Sequence, residues 1–207
     1  MINREKLMYP FYCMFHPFDG FYEIRHRDKG SVPVALLLVF LFGLSYSLNR
    51  RYAGFVVNYI NPRTVDSRRE VLGIFFAVLL LACSNWSITS LMEGEGRFKD
   101  IIIVLGYSML PMVLTFVPAT VISWFVAQNE EGLYYLLINV SVIFTVILAI
   151  IGIMTIHNYS FGKTVITLIL SFIALLIIIF IILLLLYLLQ QVYTFLYSLY
   201  TEIIMKL

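Results

Sequence analysis

Four stretches of this chain, Val71 to Met92, Ile101 to Ala127, Leu133 to Ile156 and Thr164 to about Leu189, contain no Asp, Glu, Lys or Arg. Each is long enough to carry a helix across a hydrocarbon core of ~30 Å, and a fifth, Val32 to Leu48, just reaches. Such a pattern does not suit a soluble domain. Of the 207 residues, 61% are apolar and 13% are charged. A soluble domain of this size buries only about 70% of the surface its unfolded chain exposes, so the excess would lie in water as aggregating patches. In lipid every backbone group must be satisfied within the protein, and continuous apolar runs of this length do so as helices. The expectation is therefore an all-α fold, a polytopic transmembrane helical bundle of about five spans.

The connections support an up-and-down bundle. Residues 93–100 (EGEGRFKD), 128–132 (QNEEG) and 157–163 (HNYSFGK) are short, polar and glycine-bearing, which implies antiparallel neighbours. Two amphipathic interfacial helices are expected beside the spans. In residues 17–29, Phe18, Phe21, Tyr22 and Arg25 fall at helical spacing, with Pro17 in the first turn and Glu23 four before Arg27. This reads as a helix lying aromatic side down on the membrane. In residues 49–70, Tyr52, Phe55, Val56, Tyr59 and Ile60 make a second such face, stopped before Asn61-Pro62. Ser31 and Pro33 then supply a cap and a first-turn proline for the first span. The chain thus divides into an N-terminal interfacial segment, 1–31, and a transmembrane domain, 32–207.

The net charge of +2 is too small to point to a nucleic-acid partner. With the N-terminus inside, Lys and Arg number eight inside and six outside, which leans towards N-inside and C-outside. Five of the six outer charges lie in 49–70, where the interfacial helix would hold them flat against headgroups. Cys13 and Cys83 stand 70 positions apart with no His or Cys at metal-ligand spacing, so neither a redox nor a metal role is expected. The first apolar run follows an aromatic and charged segment, unlike a cleavable leader with its short basic head.

The spans carry little that could do chemistry. Ionisable groups that mark proton or ion pathways are missing from the four long runs. The most unusual intramembrane feature is the polar cluster Ser84, Asn85, Trp86, Ser87, Thr89 and Ser90. Interhelical hydrogen bonding is its plainer reading, and a site for lipid or a partner helix the sharper one. Pro111 and Pro118, seven apart, should bend the third span on one face, with Ser108, Thr115 and Ser123 near enough to satisfy freed backbone groups. His157 ends the fourth span, where a histidine complements the helix dipole or snorkels to the interface. Glu93 and Glu95 flank a glycine beside Arg97 and Lys99, with no nucleophile or metal ligand nearby, and read as a loop contact surface. No phosphate-binding glycine loop, catalytic triad order or zinc pattern is present, so no enzyme activity and no cofactor are expected.

The stretch CSNWSITSLMEGEGRFKDIIIVLGYSMLP, residues 83–111, resembles the Yip family of polytopic membrane proteins, named for members that interact with Ypt and Rab GTPases. The likeness rests on Asn85, Trp86, Gly94, Gly96, Phe98, Lys99, Asp100, Gly106, Tyr107, Ser108 and Pro111. The N-terminal HPFDGFYEIRHRDKGS is similar to the opening of bacterial members. The resemblance implies a five-span fold with its N-terminus in the cytosol, no known catalysis, and a place in a bacterial plasma membrane. Eukaryotic relatives act in vesicle traffic and membrane shaping through a long cytosolic N-terminal region, whereas only about 31 residues precede the first span here. Some bacterial relatives look like accessory partners of ABC transporter permeases, especially for carbohydrates.

Together these readings lead to a non-enzymatic membrane adaptor or scaffold, with membrane lipids and another integral membrane protein, such as a transporter permease, as partners. The alternatives are a transporter or channel subunit for a small solute and a membrane-shaping or trafficking protein. On motif match and intramembrane polarity, the residues expected to touch a partner or lipid are Asn85, Trp86, Glu93, Gly94, Gly96, Phe98, Lys99, Tyr107 and Pro111. Beyond Leu189, residues Val192, Phe195, Leu196, Leu199 and Ile203 continue the 3.6 period. The last helix therefore either projects about twice the bilayer core as a docking arm or breaks near Gln190-Gln191 and turns along the surface, where Tyr187, Tyr193, Tyr197 and Tyr200 would form an aromatic belt.

Overall fold

A computed structural model describes residues 4–205; the outermost residues of the two expected segments, 1–3 and 206–207, lie outside the described residues. The helices are α1 (Arg4–Phe15), α2 (Pro17–Arg27), α3 (Val32–Tyr52), α4 (Ser67–Leu91), α5 (Phe98–Ser108), α6 (Leu110–Ile122), α7 (Glu131–His157) and α8 (Phe161–Met205). With α5 and α6 taken as one interrupted span, five helices are long and apolar enough to cross a membrane. Loops alternate between two ends of the bundle. The N-terminal end gathers α1, α2, the start of α3 and the junctions α4–α5 and α7–α8; the opposite end gathers α3–α4 and α6–α7.

The bundle is organised around α5, whose residues from Asp100 to Ser108 are buried apart from Ile102. Its Ile101, Val104 and Leu105 meet Ala35, Leu38 and Val39 of α3, Val78 and Ala82 of α4, and Ile153 and Ile156 of α7 in one apolar core. Close approach is what buries it. A Cβ on Gly106 would stand 2.6 Å from the Ala35 carbonyl oxygen, so a glycine lets the backbones of α3 and α5 touch. Gly152 does the same for α7, whose backbone lies against Val104 and Phe21.

The third span is interrupted at Met109. Pro111 has no N–H to offer the turn before it, and the Met109 N–H bonds the Gly106 carbonyl at 3.2 Å instead, tightening the chain before α6 restarts. Pro118 lies within α6 and does not end it. Ser108 and Thr115 donate to the carbonyls of Val104 and Pro111, four residues back in each case, and Ser123 donates to Thr120.

The two amphipathic segments differ from their readings. Helix α2 exists, but the side chains it buries are Phe21 and Ile24, which enter the bundle core, while Phe18 and Tyr22 face outward. Its partner α1 was not anticipated; Cys13 packs on Gly20, where a Cβ would meet its Sγ at 2.8 Å. The second interfacial helix does not form. Instead α3 runs on to Tyr52, and residues 53–66 make a turn-rich segment with one 3-10 turn, Pro62–Thr64. The reason is tertiary: the Gly54 N–H donates to Ser123 Oγ at 2.8 Å, Asn58 Nδ2 to the Arg50 carbonyl at 3.0 Å, and Tyr135 OH to the Val57 carbonyl at 3.3 Å. These bonds outweigh a periodicity of only two turns. Asn49 completes this end, donating to Thr120 Oγ1 and accepting from Tyr134 OH, so that one side chain ties α3, α6 and α7 together.

Helix α8 is uninterrupted over 45 residues and passes Gln190-Gln191 without a break. It leans on α4 through Thr164, Thr167 and Ser171, the residues it buries.

Candidate functional site

The loop that carries the sequence motif is folded into a clasp. At the end of α4, Glu93 takes a left-handed conformation (φ 57°) and the Gly94 N–H returns to the Thr89 carbonyl at 2.8 Å, a Schellman closure with an acidic residue where glycine is usual. The chain then runs over the imidazole of His157. A Cβ on Gly94 would stand 2.5 Å from His157 Nδ1, and one on Gly96 2.7 Å from Cε1, so these two glycines leave the room the ring occupies. The Gly96 N–H donates to Nδ1 at 3.1 Å, which places the proton of a neutral ring on Nε2. His157 is 1% exposed, so it holds a loop rather than snorkelling to the interface. Beside it, Tyr159 OH donates to the Met92 carbonyl at 3.0 Å, satisfying the C-terminal end of α4.

Beyond Gly96 the clasp becomes ionic. Arg97 Nε and its backbone N–H both reach Asp100 Oδ2, at 2.9 and 3.1 Å, and Arg97 Nη2 reaches Asp28 Oδ1 at 2.7 Å. Asp100 is 1% exposed, and Arg25 of α2 lies 3.9 Å from it. The bonds to Asp100 first, and to Asp28 after, hold the Arg97 guanidinium charge more firmly than usual. Lys99 Nζ adds a bond to Asp28 at 2.9 Å. Hydrogen bonds from Lys99 and then Arg97 hold the Asp28 carboxyl below its ordinary range. On the other flank Lys29, then Tyr9, lower the Glu23 carboxyl in the same way. Asp28 caps α2 in a left-handed conformation (φ 50°), so the motif loop grips the joint between α2 and the first span. The Ser31 N–H, one of the first donors of α3, is taken by Tyr107 OH at 3.0 Å.

Of the residues singled out from sequence, Glu93, Gly94, Gly96, Phe98, Lys99 and Tyr107 all belong to the clasp or adjoin it. Trp86 reaches it through an edge contact with Phe98, centroids 5.9 Å apart. Asn85 is elsewhere, buried and donating to Ser171 Oγ at 3.2 Å, and Pro111 is buried at the start of α6. Arg25, Arg97, Asp100 and His157 were noticed in the sequence but not counted among the expected contact residues, and Asp28 and Tyr159 were not singled out at all. Nothing in sequence spacing joins Asp28 to Arg97, although the alternating charges of RFKD signalled a partnered loop.

A cleft of about 450 Å³ lies beside the clasp, lined by Lys6, Asp28, Ser31, Lys99 and Asp100 among others. Among the described residues no group of three or more His, Cys, Asp or Glu could hold a metal ion. Cys13 is buried, and burial pushes its thiol up to about 12. Such a thiol is poorly reactive at neutral pH.

Five apolar spans closed at one end by an ion-paired loop define an integral, multi-pass, all-helical membrane protein. The chain belongs to the Yip1 domain family, whose model matches residues 11–184 and so takes in α2 to α7 whole and the membrane half of α8. A comparison with curated proteins finds no match, and neither does one with solved structures.

Proposed function

We propose that this protein is a non-enzymatic membrane adaptor or scaffold whose clasped N-terminal helices and outer helix faces engage another integral membrane protein. The observation that carries this reading is the aromatic surface on α1 and α2. Phe15, Phe18 and Tyr22 point outward on helices whose opposite sides are locked by Phe21 and Ile24 in the core and by the Asp28 clasp. Aromatic side chains held rigid before binding suit an interface, because little conformational freedom is lost on association. The finer assignment is an accessory subunit for an ABC-type permease in a bacterial plasma membrane, with the N-terminus inside and no catalysis of its own. The resemblance and the excess of basic residues at the N-terminal end support it. In this reading Gly94, Gly96, Lys99 and Tyr107 act as struts of the platform rather than as its contact surface.

The test is mass spectrometry of what copurifies with the tagged chain from its native membrane in mild detergent. A permease or its ATPase at one-to-one stoichiometry, lost when Phe15, Phe18 and Tyr22 are replaced by serine, supports the reading. The chain recovered alone with lipid overturns it.

A solute-transport reading draws on one feature, a cavity of about 240 Å³ among α4, α5, α7 and α8 with Asn85 and Ser171 in its wall. The remaining lining is aliphatic, which suits an acyl chain better than a polar solute. Solute flux in liposomes containing only this protein would favour transport, and no flux removes it.

A further inference from the structure

Two spans begin side by side at the N-terminal end of the bundle, and the cleft of about 450 Å³ lies where they begin. Val32 and Pro33, in the opening turn of the first span, and Lys99 and Asp100, in that of the third, all line it. The cleft therefore stands at the level where helices leave the hydrocarbon, which is the level of lipid headgroups. Its size falls within the ~300–1,000 Å³ of small-molecule sites.

The polar groups of this cleft are set for an anion. The N-terminal ends of α3 and α5 both lie at it, each the positive end of a helix dipole. In α3, Pro33 has no N–H, and the first helical bond is that of the Ala35 N–H to the Ser31 carbonyl at 3.0 Å. The N–H groups of Val32 and Val34 are thus left without a partner. The cap residue that could take one of them does not. Ser31 lines the cleft and is only 9% exposed, yet its hydroxyl makes no hydrogen bond. Buried hydroxyls are ordinarily bonded, so an idle one beside free helix donors points to a group from outside the chain. Lys6 of α1 lines the same cleft, and no carboxylate pairs with it among the described residues. Asp28 and Asp100 do not cancel this field. Arg97 reaches them at 2.7 and 2.9 Å, Lys99 reaches Asp28 at 2.9 Å, and Arg25 lies 3.9 Å from Asp100. Counted with Lys6, these basic groups leave two positive charges in excess.

We infer that this cleft is a phospholipid site, in which the phosphate of an anionic headgroup is held by Lys6, the Ser31 hydroxyl and the first N–H groups of α3. A helix N-terminus supplies the donors such a group needs. The apolar part of the lining, Ile24, Val32 and Ile103, suits the glycerol and first acyl carbons of a lipid and has nothing to offer free phosphate. The excess charge favours a headgroup of net negative charge over phosphatidylcholine, whose quaternary ammonium would meet Lys6. A lipid bound here leaves the aromatic surface of α1 and α2 free, so the site stands whether or not a protein partner docks on that surface.

The test uses the full chain, freed of lipid in a neutral maltoside detergent and given equal amounts of phosphatidylglycerol and phosphatidylcholine with the same acyl chains. Native mass spectrometry counts what is retained. One phosphatidylglycerol per chain is expected, at about tenfold preference over phosphatidylcholine. Lys6→Gln should lower its retention about fivefold, and Ser31→Ala, which changes no charge, about fivefold as well. Arg27→Gln, which removes a positive charge from the same end of the bundle outside the cleft, should retain lipid like the parent. Neither Lys6 nor the Ser31 hydroxyl bonds to the rest of the described chain, so both variants should keep the parent's helix content, checked by circular dichroism. Inorganic phosphate at millimolar excess should not displace the lipid; displacement would make this a free-phosphate site and overturn the lipid assignment. Equal retention of the two lipids, undiminished retention in Lys6→Gln or in Ser31→Ala, or a loss in Arg27→Gln as large as in Lys6→Gln would overturn it too.

Discussion

At the scale of single residues, the clasp makes Arg97 the decisive side chain. Its guanidinium accounts for most of the charge compensation of Asp100, which is 1% exposed, and it also reaches Asp28 in α2. Truncation leaves a buried carboxylate with only the backbone N–H of residue 97 and, at 3.9 Å, Arg25. We expect Arg97→Ala to cost about 3 kcal/mol, the range for breaking a buried pair from one side. Arg97→Lys should recover less than half, because an ammonium cannot span two carboxylates as a planar fork does; thermal unfolding in detergent measures both. Glu93 offers the opposite sign. Its left-handed backbone is strained for any side chain, so Glu93→Gly should stabilise by about 1 kcal/mol. Gly94→Ala, one position on, should destabilise by driving a methyl into His157 and Tyr159. The glycines were legible as motif letters in the sequence. The ring that requires them lies 61 residues from Gly96, a distance over which no spacing rule operates.

At the scale of elements, the contact between α3 and α5 and the docking of α2 are separately testable. Gly106→Ala would set a Cβ against the backbone of Ala35, which cannot move as a flexible side chain could. A loss of about 2 to 3 kcal/mol is expected, within the range for overpacking, read as a lower midpoint of denaturation. The docking of α2 carries a pH signature with a fixed sign. Asp28 and Glu23 titrate below their ordinary range when folded, so their contribution is complete above the unfolded value of about 4 and fades as pH falls through the folded values. The melting temperature should therefore stay level for these groups from pH 8 to 5 and drop below about pH 4. Asp28→Asn should remove part of that acid-side drop. A fall beginning at pH 6 would show that another group dominates. Helix α2 was legible from its spacing, although the side it buries was not, because aromatic residues sit on both sides of it. The 49–70 segment had an amphipathic period too, yet bonds from Gly54, Asn58 and Tyr135 hold most of it out of a helix.

At the scale of the whole molecule, stability is graded from α5 outwards, since the core cluster surrounds that helix and reaches α8 only at its edge through Leu168. Hydrogen exchange should accordingly find amides of α5 and the facing part of α3 protected longest, with those of α1 exchanging earlier. Equal protection of α1 and α5 would contradict this gradient. The number of spans, their order and the absence of strands among the described residues follow from hydropathy, because unbroken apolar runs of this length satisfy their backbone in lipid as helices, each bonding within itself. Charge alternation and glycine spacing also mark residues 93–100 as unusual in the sequence itself. What hydropathy leaves open is which side of each helix turns inward, since lipid and core are equally apolar and a span such as α8 has no amphipathic signal to orient it. Packing makes that choice, through Gly106 against Ala35, His157 beneath Gly94 and Gly96, and Arg97 between Asp28 and Asp100. Those contacts join residues tens of positions apart, and only a folded chain brings them within bonding distance.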